Sequence, residues 1–145
     1  MLSSTRQKEH HKLPMKVLLV EDSALLREVV IENLKDCEHI SIGQFAATQY
    51  KALELLDKEQ FDMLLVDIEL AQGNGFEVIK HIKSSNYPFK QPMLMVLTNN
   101  AHSHYRNFAQ QLGVHYYFDK SMDLELAIET VVNEAAKFSA VNTKP

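Results

Sequence analysis

Short apolar runs punctuate this chain, and most of them end on a polar or charged residue. Val17-Leu18-Leu19-Val20 leads into Glu21-Asp22, and Met63-Leu64-Leu65-Val66 ends on Asp67. Met93 to Leu97 ends on Thr98, and Val114 to Phe118 ends on Asp119-Lys120. Runs this short and this apolar read as strands buried on both faces, as in a parallel sheet. Ile40 to Phe45 is less apolar and reads as a strand nearer the sheet edge.

Between the runs the period changes to that of a helix. Leu25, Leu26, Val29, Val30 and Leu34 follow Ser23, a residue suited to cap them. Thr48 precedes Ala52, Leu55 and Leu56 in the same way. Phe76, Val78, Ile79 and Ile82 predict a third helix after a loop in which Gly73 and Gly75 read as flexible loop residues. His104 to Leu112 predicts a fourth, stopped by Gly113. Leu124, Ala127, Ile128, Val131, Val132 and Ala135 predict a long final helix. Five strand–helix repeats imply an α/β fold: a five-stranded parallel sheet with helices on both faces. The expected organisation is a flexible N-terminal tail over 1–14, one domain over 15–138 and a C-terminal tail over 139–145.

Composition narrows the function. The chain is 46% hydrophobic and 23% charged, which fits a globular domain. A net charge of -4 with no basic cluster argues against direct nucleic-acid binding. No apolar run approaches the roughly 18 residues of a membrane span, so no membrane insertion is expected. Met1 to Leu13 lacks the apolar stretch of a secretory signal. Cys37 stands alone, which excludes an internal disulfide and is compatible with the cytoplasm. His10-His11 has no further ligands at useful spacing and reads as no metal site. Met63, Met93 and Met95 read as core filling.

In doubly wound sheets, ligands gather at the carboxyl ends of the strands. Here those ends bring Glu21, Asp22, Asp67, Thr98 and Lys120 together. Clustered carboxylates repel one another unless a cation joins them. Oxygen ligands favour Mg²⁺, Mn²⁺ or Ca²⁺ over zinc. A site with few carboxylates and free positions suits Mg²⁺, which keeps waters and takes a phosphate oxygen. Lys120 and Thr98 are spare donors for that anion.

This ordered set resembles the receiver domain of bacterial response regulators in two-component signalling, over roughly Met15 to Phe138. The resemblance implies a (βα)5 flavodoxin-like receiver with strand order 2-1-3-4-5. It implies that Asp67 is the phosphoacceptor, supplied by a histidine kinase or a histidine phosphotransfer protein. Asp22 matches the direct Mg²⁺ ligand, with Mn²⁺ as an alternative ion. Glu21 matches its water-mediated neighbour, and the Glu69 backbone carbonyl a further ligand. Lys120 matches the partner of the phosphoryl oxygens, and Thr98 the hydroxyl that swings to meet them. Tyr117 matches the switch aromatic, although β propensity alone also explains Tyr116-Tyr117-Phe118. The resemblance implies a switched face of fourth helix, fifth strand and final helix for an unknown downstream protein. It implies no turnover enzyme.

The chain departs from that pattern in four places. Leu70-Ala71 stands where Met-Pro is common. Asn99 replaces a small residue, and its bulkier amide is expected to narrow access to Asp67. Ser121 replaces a proline often preceded by a cis bond. The Lys120–Ser121 bond is therefore expected to be trans with a rearranged loop, or cis under strain. Glu69 adds negative charge beside the site. Only about seven residues follow the final helix, so a stand-alone cytoplasmic receiver is expected. A receiver cut from a longer regulator and a phosphorylation-independent scaffold are the alternatives. A homodimer through the final helix and its neighbours stays open. A small hydrolase with an Asp nucleophile is disfavoured, because Glu69 stands where such enzymes place a second Asp.

Overall fold

The computed structural model describes residues 11–100 and 102–144. The first ten residues of the expected N-terminal tail lie outside them. The chain alternates strictly: β1 (Met15–Val20), α1 (Ala24–Leu34), β2 (Ile40–Ala46), α2 (Gln49–Lys58), β3 (Met63–Val66), then α3 (Gly75–Lys83), β4 (Met93–Thr98), α4 (Ser103–Gln111), β5 (Tyr116–Asp119) and α5 (Leu124–Val141). The strands form one parallel sheet in the order β2-β1-β3-β4-β5. This is the flavodoxin-like order 2-1-3-4-5, with β2 at an edge.

Side chains along a strand alternate faces, and the central strands are apolar on both. Met15, Val17, Leu19, Met63, Leu65, Met95 and Leu97 pack with α1 and α5. Leu18, Val20, Leu64, Val66, Leu94 and Val96 pack with α2, α3 and α4. Side-chain caps at Ser23, Thr48 and Asn74 start α1, α2 and α3. Met63 and Met95 are fully buried, in keeping with core filling. The face read for α1 needs one correction. Leu25 is 73% exposed, because it precedes the stripe of Val30 and Leu34 that meets the sheet.

The stretches read as tails also differ where they are described. Helix α5 runs on past Phe138 to Val141. Ser139 is fully buried, and its hydroxyl donates to the Leu13 carbonyl at 2.7 Å. The Leu13 amide donates to the Asn142 carbonyl at 2.9 Å. His11–Lys12 pairs antiparallel with Thr143–Lys144. A serine at a buried helical position breaks the apolar pattern, so the periodicity stopped short of it. Among the described residues, no helix is long and apolar enough to cross a membrane.

Candidate functional site

The sheet places the acids. β1 and β3 are neighbours with Val20 opposite Val66, so Glu21 and Asp67 leave the sheet side by side. The Asp67 amide donates to the Val20 carbonyl at 3.0 Å, and the Glu21 amide to the Ala46 carbonyl at 2.9 Å. On the other side, Thr98 pairs with Asp119 across β4 and β5. The Lys120 amide donates to the Thr98 carbonyl at 3.0 Å. Lys120 is thereby the first residue beyond β5.

From there its ammonium reaches both buried acids. Nζ lies 2.6 Å from Asp67 Oδ2 and 2.7 Å from Glu21 Oε1. Asp67 is 4% exposed and Glu21 2%. Asp22 is exposed at the mouth. One carboxylate oxygen from each of Glu21, Asp22 and Asp67 lies within 4.8 Å of the others. Burial pushes the Glu21 carboxyl above its ordinary range despite the Lys120 contact that pulls it down. Burial works to lower the Lys120 ammonium, but its contacts with Asp67 and Glu21 prevail and hold it above its ordinary value. Lys120 is therefore a cation at neutral pH. Three carboxylates against one ammonium still leave negative charge, and the donors are all oxygen. That set suits a hard divalent cation better than zinc, which favours nitrogen and sulfur ligands.

The other expected residues are placed as follows. Thr98 is fully buried, and its Oγ1 accepts the Asn100 amide at 3.2 Å. Tyr117 packs against the core on the α2, α3 and α4 side, and its hydroxyl donates to the Asn100 carbonyl. Thr98 and Tyr117 thus hold the amide and the carbonyl of the same residue. Arg106 lies over the Tyr117 ring at 4.6 Å and donates to the Tyr117 carbonyl at 3.1 Å. Glu69 is exposed and meets Asp67 through its backbone amide, which donates to Oδ1 at 3.1 Å. Asn99 is exposed at the rim, where it lines shallow cavities of about 380 and 340 Å³.

The Lys120–Ser121 bond is trans, since no peptide among the described residues is cis. The loop is rebuilt around Asp119. Its Oδ1 accepts the Ser121 amide at 2.8 Å, the Ser121 hydroxyl at 2.7 Å and the Met122 amide at 3.3 Å. The Ser121 hydroxyl first, then these amides, holds the Asp119 carboxyl below its usual range. A proline at 121 has no N–H to donate, so this turn belongs to a serine.

Two further residues shape the site. Gly75, expected in the loop, is the first residue of α3. Its amide donates to the Ile68 carbonyl at 2.8 Å, and a methyl in its place would collide with the Asp67 carbonyl oxygen. The available signal was a glycine just after Asn74, where a helix begins. Arg27 donates from Nη1 to the Glu21 carbonyl at 2.7 Å, a contact to which a lone arginine in a helix gives no clue.

Comparison with known proteins agrees with this fold. The family described as "Response regulator receiver domain" matches residues 17–132, more than half of the chain. The transcriptional regulatory protein CrdR of Helicobacter pylori is 33% identical over 111 residues, covering 76% of this chain and 50% of that protein. The receiver domain of HemR from Leptospira biflexa, solved in its non-phosphorylated form, is 29% identical with a TM-score of 0.66, covering 81% and 93% of the two chains. The Mn²⁺-bound form of the response regulator Rcp1 has a TM-score of 0.72 at 24% identity, covering 91% and 99%. The chain spans half or less of the length of the curated relatives it matches.

Proposed function

Because the chain belongs to the response regulator receiver domain family, we propose that it takes a phosphoryl group onto Asp67 from a phosphohistidine on a histidine kinase or phosphotransfer protein. The observation that carries this reading is the buried Asp67 carboxylate, paired with Lys120 and gathered with Glu21 and Asp22 at the sheet edge. In the transfer, an Asp67 oxygen forms a bond to phosphorus as the phosphorus–nitrogen bond of the donor breaks. The electron pair of that bond returns to the donor imidazole, which takes up a proton. A carboxylate needs little activation against so reactive a donor. The rest is positioning and charge.

Asp22, Glu21, Asp67 and the Glu69 carbonyl would hold the cation, Mg²⁺ or Mn²⁺. When bound, the ion neutralises phosphoryl oxygens and the acids that surround them. Lys120 neutralises the same oxygens from the β5 side. The Thr98 hydroxyl donates to them after releasing the Asn100 amide. Tyr117 shares Asn100 with Thr98, so that exchange alters what the tyrosine hydroxyl is bonded to. A charge event at Asp67 thereby biases the packing of α4, β5 and α5, and a partner that prefers one packing completes the shift. The output is protein binding, with no turnover of a substrate, and the cytoplasm is the matching compartment.

Beryllofluoride, a phosphoryl mimic, tests this on ¹⁵N-labelled chain with and without Mg²⁺. The expected result is a Mg²⁺-dependent set of amide shifts running from Asp67 through Thr98 and Asn100 to Tyr117. Asp67→Asn is expected to abolish it. A wild-type chain that responds to neither ligand would overturn the reading.

A further inference from the structure

We propose that Arg27, seated on the Phe45 ring, is a positioning residue for the cation site, because it fixes the plane of the peptide that joins Glu21 to Asp22. This rests on the cation reading above. Glu21 and Asp22 are consecutive, yet one is buried against Lys120 and the other is exposed at the mouth. The peptide between them decides whether both carboxylates can face the same ion.

Every polar group of Glu21 is held. Its amide donates to the Ala46 carbonyl at 2.9 Å. One carboxylate oxygen takes Lys120 at 2.7 Å, and the other accepts the Ser23 amide at 2.9 Å. The carbonyl is the last, and it accepts from Arg27 Nη1 at 2.7 Å. That carbonyl lies in the plane of the Glu21–Asp22 peptide, so the guanidinium fixes the direction in which Asp22 departs.

The guanidinium is itself seated. Its Cζ lies 4.4 Å from the centroid of the Phe45 ring. Phe45 is 46% exposed on the edge strand, a poor place for a phenylalanine unless the ring has a use. Here it is the platform for Arg27, and the next residue, Ala46, holds the Glu21 amide. The end of β2 therefore governs both sides of Glu21, once directly and once through Arg27. Unlike lysine, arginine can rest on a ring and still donate from its planar fork. A lysine at 27 would keep the charge and lose the geometry.

Mn²⁺ binding to the full chain, followed by water-proton relaxation, is the test, with amide order parameters measured on the ion-free protein. Loss of a group that orients metal ligands weakens binding by about tenfold or more. Arg27→Ala is expected to weaken Mn²⁺ by about tenfold and to lower the order of the Asp22 and Ser23 amides. Arg27→Lys is expected not to restore either, and Phe45→Leu to reproduce both to a smaller degree. A purely structural arginine would lower the unfolding midpoint and leave the affinity of the folded chain alone. Arg27→Ala binding Mn²⁺ within about twofold of wild type would overturn the proposal while leaving the cation reading intact. Weakened binding with Asp22 and Ser23 order unchanged would overturn positioning, and tighter binding would show that Arg27 acts only by repelling the ion. A wild-type chain that binds no Mn²⁺ would overturn both.

Discussion

Asp119 shows how one side chain can organise a whole loop. Its carboxylate gathers Ser121 and the Met122 amide into a turn. The bonds favour the charged form, so the folded carboxyl titrates below the roughly 3.9 of an unfolded aspartate. The sign follows from linkage: the contribution to stability is complete above the unfolded value and disappears as pH falls through the folded one. In an NMR pH titration, the Ser121 and Met122 amides are expected to move together with a midpoint below that of an unfolded aspartate. Asp119→Asn is expected to remove that transition. Gly75 is the second residue on which the site depends. Alanine is the better helix former by up to about 1 kcal/mol, but a methyl here meets the backbone of Asp67. Overpacking of that kind costs about 1–3 kcal/mol, so the clash prevails. Gly75→Ala is expected to lower the urea midpoint without changing the slope, and to shift the Asp67 and Ile68 amides most.

At the scale of elements, the helices differ in how firmly they are held. α5 buries Ala127, Val131, Ala135 and Ser139, and α3 buries most of one face behind an Asn74 cap. α4 buries only Ala109 and begins at His102 with no side-chain cap. Its first turn therefore lacks a side-chain partner for donors that every helix start leaves open, although the Tyr105 amide donates to the His102 carbonyl at 3.1 Å. The two helices do not differ in capping, since α5 also begins without a side-chain cap at Asp123, but few buried contacts lower the free energy of local opening in α4. Hydrogen exchange is expected to show α4 amides exchanging about a hundredfold faster than those in the middle of α5. Equal protection of the two helices would contradict this. The weakness matters because α4 borders Asn100, where Thr98 and Tyr117 meet. If α4 opens as expected, it is the element best placed to respond to the bond exchange proposed above.

Across the whole molecule, the two edges of the sheet have different tasks. The carboxyl edge collects charge, and the amino edge ties the ends of the described chain together through Ser139, Leu13 and Asn142. One hydrogen bond of this kind is worth about 1 kcal/mol. Ser139→Ala is expected to lower stability by about that amount in urea unfolding, and removal of residues 139–145 by more. Distant sites with no shared partners act independently. Ion binding at Asp67 by the folded Ser139→Ala chain is therefore expected to match wild type, measured with the same Mn²⁺ titration.

The alternation of strands and helices is legible along the chain, because apolar runs and helical spacing are local properties of neighbouring residues. So are the residues that stand at the strand ends. In a parallel sheet that alone brings Glu21, Asp22, Asp67, Thr98 and Lys120 to one edge. Contacts between residues that no period relates arise only when the chain is packed. Lys120 bridges two acids from β1 and β3, Asn100 joins Thr98 to Tyr117, and Arg27 rests on Phe45. Ser139 and Gly75 belong with them, since a buried hydroxyl and an absent methyl make sense only beside the backbone that they approach. Hydrophobic patterning records which face of an element is buried. It does not record what that face, or a polar group beside it, will touch once distant segments are packed together.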